Sequence, residues 1–207
     1  MRRTEYGSDR SENGGQIDYA RALDMYDKKY AHIPKRLNIE DSNFLEYINY
    51  EFRHEMEGSY IIASSFTTDG YPTRLIMYLK NGTEVGYFTF CFPSFFRNER
   101  ENKDPAIMLG SDRAQINENF RGRGVSNLFH AIIFQYYPNL YGVRCRLGLD
   151  NATAYKTAAD EGQDEFEAFK ATPAYKTFSR FGFSAIDRNR SLPSNGTLVM
   201  TREPNNQ

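Results

Sequence analysis

The sequence contains no tryptophan and, among its 207 residues, only two cysteines and three histidines. The cysteines and histidines are scattered, so they give none of the spacings typical of a metal site. Two thiols, Cys91 and Cys145, fit a reducing compartment better than a disulfide-stabilised extracellular domain. The missing tryptophan does not prevent a core, because 16 Phe and 15 Tyr contribute to a hydrophobic content of 40%.

The sequence also lacks charge of one sign and long apolar runs. Its formal net charge of −1 provides no basic field, which argues against a dedicated nucleic-acid binder. No apolar run approaches the roughly 18 residues of a membrane helix. Residues 1–16 carry Arg2 and Arg3 without an apolar stretch, so we expect no secretory signal there. We therefore expect a soluble, cytoplasmic protein with no membrane partner.

Three stretches of the sequence differ in polarity and in the spacing of their apolar residues. Residues 1–16 are polar and aperiodic, and we expect a disordered tail. Residues 17–34 have apolar side chains at helical spacing and predict an N-terminal helix. Residues 35–203 predict one α/β domain, which starts with a short strand over 35–40 and one helix over 42–57.

Residues after 58 alternate between strand and helix patterns. Asn81-Gly82 lies between two β-branched and aromatic runs and predicts a hairpin over 74–92. A further strand is expected over 106–116, with a bulge or break at Gly110-Ser111-Asp112. A helix from Val125 to Pro138, a strand over 141–149 and helical residues over 150–181 follow. Pro173 should start the last helix, and Gly182 should end it before a final strand pair.

One motif combines glycine and positive charge at the start of the helix that begins at Val125. It reads Arg121-Gly122-Arg123-Gly124-Val125-Ser126. Helix N-termini expose unpaired N–H groups and the positive end of the dipole, and glycines let a phosphate approach the backbone closely. The two arginines can add charge-assisted contacts. A dinucleotide fingerprint would need glycine instead of Asn127, and a Walker loop would need Gly-Lys-Ser/Thr. A helix start that merely happens to be glycine-rich is the alternative.

In its flanks and order this motif resembles the GNAT superfamily of N-acetyltransferases, whose motif is Gln/Arg-x-x-Gly-x-Gly/Ala. Ser126 replaces the usual Gly or Ala. Residues 174–183 resemble the family's last helix with its Gly-Phe end, residues 197–201 its closing strand, and Val85-Gly86-Tyr87 its third strand. The resemblance spans residues 35–203 in order. It implies a mixed, mostly antiparallel sheet flanked by helices and splayed between the fourth and fifth strands.

The resemblance also implies a cofactor site and a reaction. Acetyl-CoA would be the acyl donor, with its pantetheine arm along the backbone of Gln115, Ile116 and Asn117 and its pyrophosphate on residues 121–126. Asn151 matches an asparagine that often contacts the pantetheine region. A primary amine would attack the thioester directly, so no nucleophilic side chain is needed, and both cysteines are expected to be core residues.

Proton transfer is less well defined by the resemblance. The family's usual acid is a tyrosine four residues before the Gly of the Gly-Phe pair, and here that position is Phe178, expected beside the cofactor. Tyr175, one turn earlier, is the alternative acid. Glu118 or Asp112 could act as the base through a water molecule.

The acceptor is open at this point. Five acidic residues within 158–170 could attract a cationic amine or could form a solvated face. The phenylalanines between 88 and 96 could line a pocket or belong to the core. A protein-directed effector or toxin and a non-catalytic acyl-CoA-binding domain are the alternative functions, and a homodimer is left open.

Overall fold

The computed structural model describes residues 33–40, 43–66, 72–91, 95–96, 106–138, 140 and 142–202. The predicted tail over 1–16 lies outside these residues, and so does all but the end of the helix predicted over 17–34. Cys91, Phe95 and Phe96 are described in their backbone only, and Phe92 is outside the described residues.

The described chain forms one nine-stranded sheet in the order β1-β2-β3-β4-β6-β7-β9-β8, with β5 paired to β6. Every neighbouring pair is antiparallel except β6 and β7. The prediction of a mixed, mostly antiparallel sheet is confirmed. The strands are β1 Arg36–Asn38, β2 Tyr60–Phe66, β3 Pro72–Tyr78, β4 Glu84–Cys91, β5 Phe95–Phe96, β6 Ala106–Ile116, β7 Gly142–Arg146, β8 Ala185–Ile186 and β9 Thr197–Thr201.

Two local predictions in the sheet are confirmed. Gly82 takes φ +85° in the turn between β3 and β4, as the Asn-Gly hairpin requires. In β6, Arg113 pairs with Thr89 and Ser111 pairs with Phe90, which leaves Asp112 as the extra residue of a bulge. A bulge increases the local twist of a strand, and this one lies where β6 and β7 part.

Three α-helices are described: α1 Val125–Tyr136, α2 Leu149–Asp160 and α3 Pro173–Arg180. Helix α1 packs eight buried side chains into the core, where Leu128, Phe129, Ile132 and Ile133 are fully buried. Helix α3 begins at Pro173 behind a Thr172 cap and is followed by Gly182 at φ +84°. These starts and ends confirm the predicted caps.

Two predicted helices are wrong in extent. The helix expected over 42–57 is two 3₁₀ helices, Asn43–Tyr47 and Tyr50–Met56. They break because the N–H of Asn49 donates to Arg123 rather than within its own segment. The helical stretch expected over 150–181 is interrupted after α2, where Gly162 takes φ +90°, and again at the extended Thr172. A 3₁₀ helix, Glu167–Ala171, lies between α2 and α3.

Candidate functional site

The sheet opens along one edge of β6. Strands β6 and β7 pair only where Met108–Ser111 lie beside Gly142–Cys145, whereas β6 remains paired with β4 as far as Ile116. Beyond Ser111, no described strand pairs with this edge of β6. The predicted splay between the family's fourth and fifth strands is therefore found between β6 and β7.

Backbone alternation shows which groups face this gap. The N–H of Asn117 donates to Val85 on β4, and Gln115 lies opposite Tyr87 in the same register. Since the backbone groups of successive strand residues point to opposite sides, those of Ala114 and Ile116 face the gap between β6 and β7. An extended ligand with amide groups could therefore pair with β6 at these two residues.

The end of β6 leads directly to the glycine turn. A short 3₁₀ helix, Glu118–Phe120, connects them, and Gly122 and Gly124 then take φ +74° and +93°. Among the described residues, the N–H groups of residues 122–126 have no hydrogen-bond acceptor. Alternating left-handed residues and free N–H groups at a helix start form a concave anion site.

The carbonyl side of the turn is tied to the rest of the protein. The Asn49 side chain donates to the carbonyl oxygen of Gly122 at 2.6 Å. The backbone N–H of Asn49 donates to the carbonyl oxygen of Arg123 at 3.0 Å. A Cβ on Gly124 would collide with the carbonyl oxygen of Tyr47, so only glycine fits there. The turn is thus held by the break between the two N-terminal 3₁₀ helices.

The two arginines of the turn are placed differently. Arg123 has a side chain only 18% exposed, forms an ion pair with Glu55, and lies 4.1 Å from the ring centre of Phe52. Arg121 is 64% exposed, and its Nε donates to the carbonyl oxygen of Ile116 at 3.2 Å. The guanidinium of Arg121 therefore lies at the open end of the gap between β6 and β7. The guanidinium of Arg123 instead binds Glu55 and so stabilises the turn.

A cavity of about 370 Å³ lies at the end of β4 and β6. The hydroxyl of Tyr87 donates to the side chain of Gln115 at 3.1 Å beside it. Glu118, with a side chain 84% exposed, lies 3.6 Å from Arg121. The structure thus brings together five residues predicted from the sequence, which line this cavity with Glu84 and Gly86: Gln115, Ile116, Asn117, Glu118 and Arg121.

Asn151 and Tyr175 are engaged in holding helix α3. The side-chain oxygen of Asn151 accepts a hydrogen bond from the N–H of Ala174 at 2.7 Å. The hydroxyl of Tyr175 donates to the carbonyl oxygen of Ser184 at 3.3 Å. Both side chains therefore fix the two ends of α3, and the proton of Tyr175 is used within the protein.

Phe178 lies in the core. It is 3% exposed, and its ring meets that of His130 edge-on. Burial lowers the pKa of His130 to about 4, although its bond to Ser126 opposes the shift. The neutral ring donates from Nδ1 to the carbonyl oxygen of Ser126 at 2.7 Å, because a carbonyl can only accept. His130 is therefore a core residue.

Cys145 is likewise a core residue. It is 5% exposed, and burial raises the pKa of its thiol to about 12. At neutral pH such a thiol is protonated and unreactive. The expectation that this cysteine has no nucleophilic role agrees with its position.

The acidic stretch is partly neutralised. Arg188 lies 3.9 Å from both Asp164 and Glu167, and Glu167 also pairs with Lys170 at 2.6 Å. Asp160, Glu161 and Glu165 are exposed. Within the described ranges, no three His, Cys, Asp or Glu side chains are grouped to hold a metal ion, and no helix is long and apolar enough to cross a membrane.

Sequence reasoning missed two residues of the site, Asn49 and Glu55. Both lie in a segment with a helical apolar pattern, and their partners in the turn are 73 and 68 residues away. A polar residue inside that pattern was the only local sign of the break at Asn49.

None of the family models and none of the curated proteins compared with the chain matches it. Solved structures similar to it include a GNAT-family acetyltransferase from Listeria monocytogenes 4b F2365, with 14% identity and a TM-score of 0.34. The match covers 63% of each chain, so it spans less than two thirds of that protein.

Two further similar structures are an Ard1 protein from Thermoplasma volcanium and a mutant AtaT toxin bound to acetyl-CoA and the C-terminus of the antitoxin AtaR. The first has 18% identity, a TM-score of 0.32 and coverage of 63% of this chain and 70% of that one. The second has 15% identity, a TM-score of 0.34 and coverage of 62% and 66%. These values carry no argument by themselves. The strand order, the bulge and the opening between β6 and β7 agree with the mixed, mostly antiparallel and splayed sheet predicted from the sequence.

Proposed function

We propose that this protein is an N-acetyltransferase that transfers the acetyl group of acetyl-CoA to a primary amine. The observation that supports the proposal best is the continuity between two features. The gap beside β6 ends at Ile116, and the free N–H groups of the turn begin at residue 122. A ligand with an extended amide arm followed by a pyrophosphate has the same two parts in the same order.

The gap is suited to the pantetheine arm of this donor. Its amides can pair with the backbone of Ala114 and Ile116, while Gln115 and Asn117 flank the arm. The carbonyl oxygen of Ile116 accepts from Arg121 in the described structure, so the arm would replace that bond. Arg121 would then be free to reach a phosphate oxygen.

The pyrophosphate would rest on the turn. The N–H groups of residues 122–126 and the positive end of α1 supply attraction without a side-chain charge. Val125 and Ser126 begin the helix, and Ser126 keeps the position small. Arg123 would contribute indirectly, because its guanidinium is held by Glu55. Asn151 would contact the arm only through its amide nitrogen, since its oxygen is bonded to Ala174.

The reaction would proceed in a ternary complex. The amine nitrogen attacks the thioester carbon and forms the new C–N bond, while the carbonyl electron pair moves to oxygen. A gap-facing N–H of β6, such as that of Ala114, can donate to this oxyanion. When the carbonyl re-forms, the C–S bond breaks and the CoA thiolate leaves with the electron pair.

Two protons must move during this reaction. Glu118 lines the cavity beside Arg121 and is our candidate base, which would take the proton of the amine through water. Tyr175 remains the candidate acid but would have to give up its bond to Ser184. Phe178 cannot donate a proton. A thiolate whose conjugate acid has a pKa of about 8.5 can instead leave unaided.

The acceptor would be a cationic amine. Asp160, Glu161 and Glu165 are exposed and can attract one, whereas Asp164 and Glu167 share Arg188. Long-range attraction of this kind raises the rate of encounter more than it fixes identity. The proposal is therefore a primary amine of either a small molecule or a protein.

The deciding experiment is isothermal titration with acetyl-CoA, followed by mass spectrometry of an amine panel. We expect saturable binding by the wild type and an acetylated amine that gains one acetyl group as CoA is released. The double variant Arg121→Ala with Gly122→Glu should bind no donor, because it removes a cation and adds a carboxylate beside the free N–H groups, at a position where a Cβ has nothing within 4 Å. Absence of binding by the wild type at millimolar acetyl-CoA would reject the proposal.

A second candidate is a non-catalytic acyl-CoA-binding domain. It is favoured by two observations: Phe178 occupies the position of the usual acid, and the hydroxyl of Tyr175 is bonded to Ser184. Binding of acetyl-CoA without CoA release across the whole amine panel would support this candidate over the enzyme.

A further inference from the structure

Asn49 is bonded to two consecutive peptide groups of the turn. Its side-chain N–H reaches the carbonyl oxygen of Gly122, and its backbone N–H reaches that of Arg123, at 2.6 and 3.0 Å. In a trans peptide the C=O and N–H bonds point in opposite directions. The bonds from Asn49 therefore turn the N–H groups of Arg123 and Gly124 away from the 3₁₀ helices, toward the side of the proposed anion site.

The same segment sets the position of the turn by packing. A Cβ on Gly124 would meet the backbone of Tyr47 and Ile48, so the two backbones are in close contact. By contrast, a Cβ on Gly122 would have nothing within 4 Å. The space beside Gly122 is thus open, and the described bond to the peptide between Gly122 and Arg123 comes from the Asn49 side chain.

We propose that Asn49 is a positioning residue, which holds the turn in the orientation that binds the pyrophosphate of the donor. This inference rests on the proposed function. Without the side chain, the peptide between Gly122 and Arg123 can rotate, and its N–H no longer converges with its neighbours. The effect should be specific to ligands that carry a pyrophosphate, because the pantetheine arm pairs with β6 and not with the turn.

The test compares Asn49→Ala and Asn49→Asp with Asn43→Ala, which removes an exposed amide from the same region and has no described side-chain hydrogen bond. We expect Asn49→Ala to weaken acetyl-CoA binding about tenfold, as loss of one well-placed hydrogen bond does. Asn49→Asp should weaken it further, because a carboxylate would repel both the Gly122 carbonyl and the phosphate. Asn43→Ala should bind like the wild type.

The readout that separates positioning from general stability is a second donor. S-acetylpantetheine carries the thioester but no pyrophosphate, so its kcat/KM should stay within about twofold in Asn49→Ala while that of acetyl-CoA falls. Equal losses for the two donors would show a merely structural role and overturn the inference. Unchanged acetyl-CoA binding in Asn49→Ala would overturn it as well.

Titration with inorganic pyrophosphate tests the role of Asn49 separately from the proposed function. If the wild type binds no acetyl-CoA, the proposed function fails. Titration with pyrophosphate then decides the role of Asn49 alone. Binding by the wild type and Asn43→Ala but not by Asn49→Ala supports the inference, whereas equal binding, or no binding by any of them, overturns it.

Discussion

The ring of His130 meets the ring of Phe178 edge-on, with the two ring centres 5.3 Å apart and an angle of 76° between the planes. His130 lies on α1 and Phe178 on α3, so this contact joins the two helices. It also makes an ionisable group part of the core, which has a consequence for stability at low pH.

We predict that His130 makes the fold sensitive to acid. The unfolded chain takes up this proton near the ordinary pKa of 6.5, whereas the native chain does so only near pH 4. The stability that comes from keeping this ring neutral is fully present above pH 6.5. As the pH falls toward 4 it is lost, and the free energy of unfolding decreases by roughly 3 kcal/mol in total.

Urea unfolding of the wild type and of His130→Phe at pH 7.5, 6, 5 and 4 would measure this effect. The difference between the free energies of unfolding of the two proteins should change by roughly 3 kcal/mol between pH 7.5 and pH 4. Carboxylates contribute equally to both proteins and cancel in the difference. Parallel curves for the two proteins would contradict the prediction.

The two glycines of the turn should differ in their tolerance of alanine. Both take positive φ, and each substitution costs about 1 kcal/mol for that reason. Gly124→Ala also pushes a Cβ into the backbone of Tyr47, and we expect a further loss of about 1–3 kcal/mol. Thermal or urea unfolding measures both, with Gly122→Ala as the matched control. Equal losses would show that the contact with Tyr47 relaxes at no cost.

Substitution of the two arginines of the turn should have different effects: one should lower the stability of the fold and the other should weaken acetyl-CoA binding. Arg123→Ala loses the contact with Phe52 and the ion pair with Glu55, and we expect it to lower the free energy of unfolding by about 1–2 kcal/mol. Arg121→Ala should leave it unchanged within about 0.5 kcal/mol and instead weaken acetyl-CoA binding about tenfold. The reverse assignment would contradict the geometry.

Cys145 should react only when the protein unfolds. Its thiol is buried and its pKa is raised to about 12, so the native protein presents almost no thiolate. In a Cys91→Ser variant, Cys145 is the only thiol, and its modification at pH 8 should follow the rate of opening of the fold. Modification as fast as that of a free thiol would show that β7 is exposed.

Local chemistry made much of the fold predictable. The Asn-Gly hairpin, the bulge around Asp112, helix α1 and the Pro173 and Gly182 boundaries each depend on residues within a few positions of one another. The glycine turn was also visible, because its glycines, arginines and following apolar helix are adjacent in the chain.

Contacts between distant residues were not predictable. The break at Asn49 arises because its hydrogen-bond partners are in the turn, 73 residues away in the case of Gly122. The different roles of Arg121 and Arg123 depend on Glu55 and Phe52, which no local pattern connects with them. Tyr175 likewise had the right spacing for an acid, but the path of the chain after Gly182 brings the carbonyl of Ser184 to its hydroxyl.

Strand β9 imposes an order on assembly during synthesis. It comes last among the described strands, yet it lies inside the sheet between β7 and β8, and all five of its residues are buried. Until residues 197–201 leave the ribosome, β7 has an unpaired edge along the whole length that β9 will occupy. A nascent chain that pauses after β7 therefore exposes a template for pairing with other chains, and chaperone protection would be needed most in that interval.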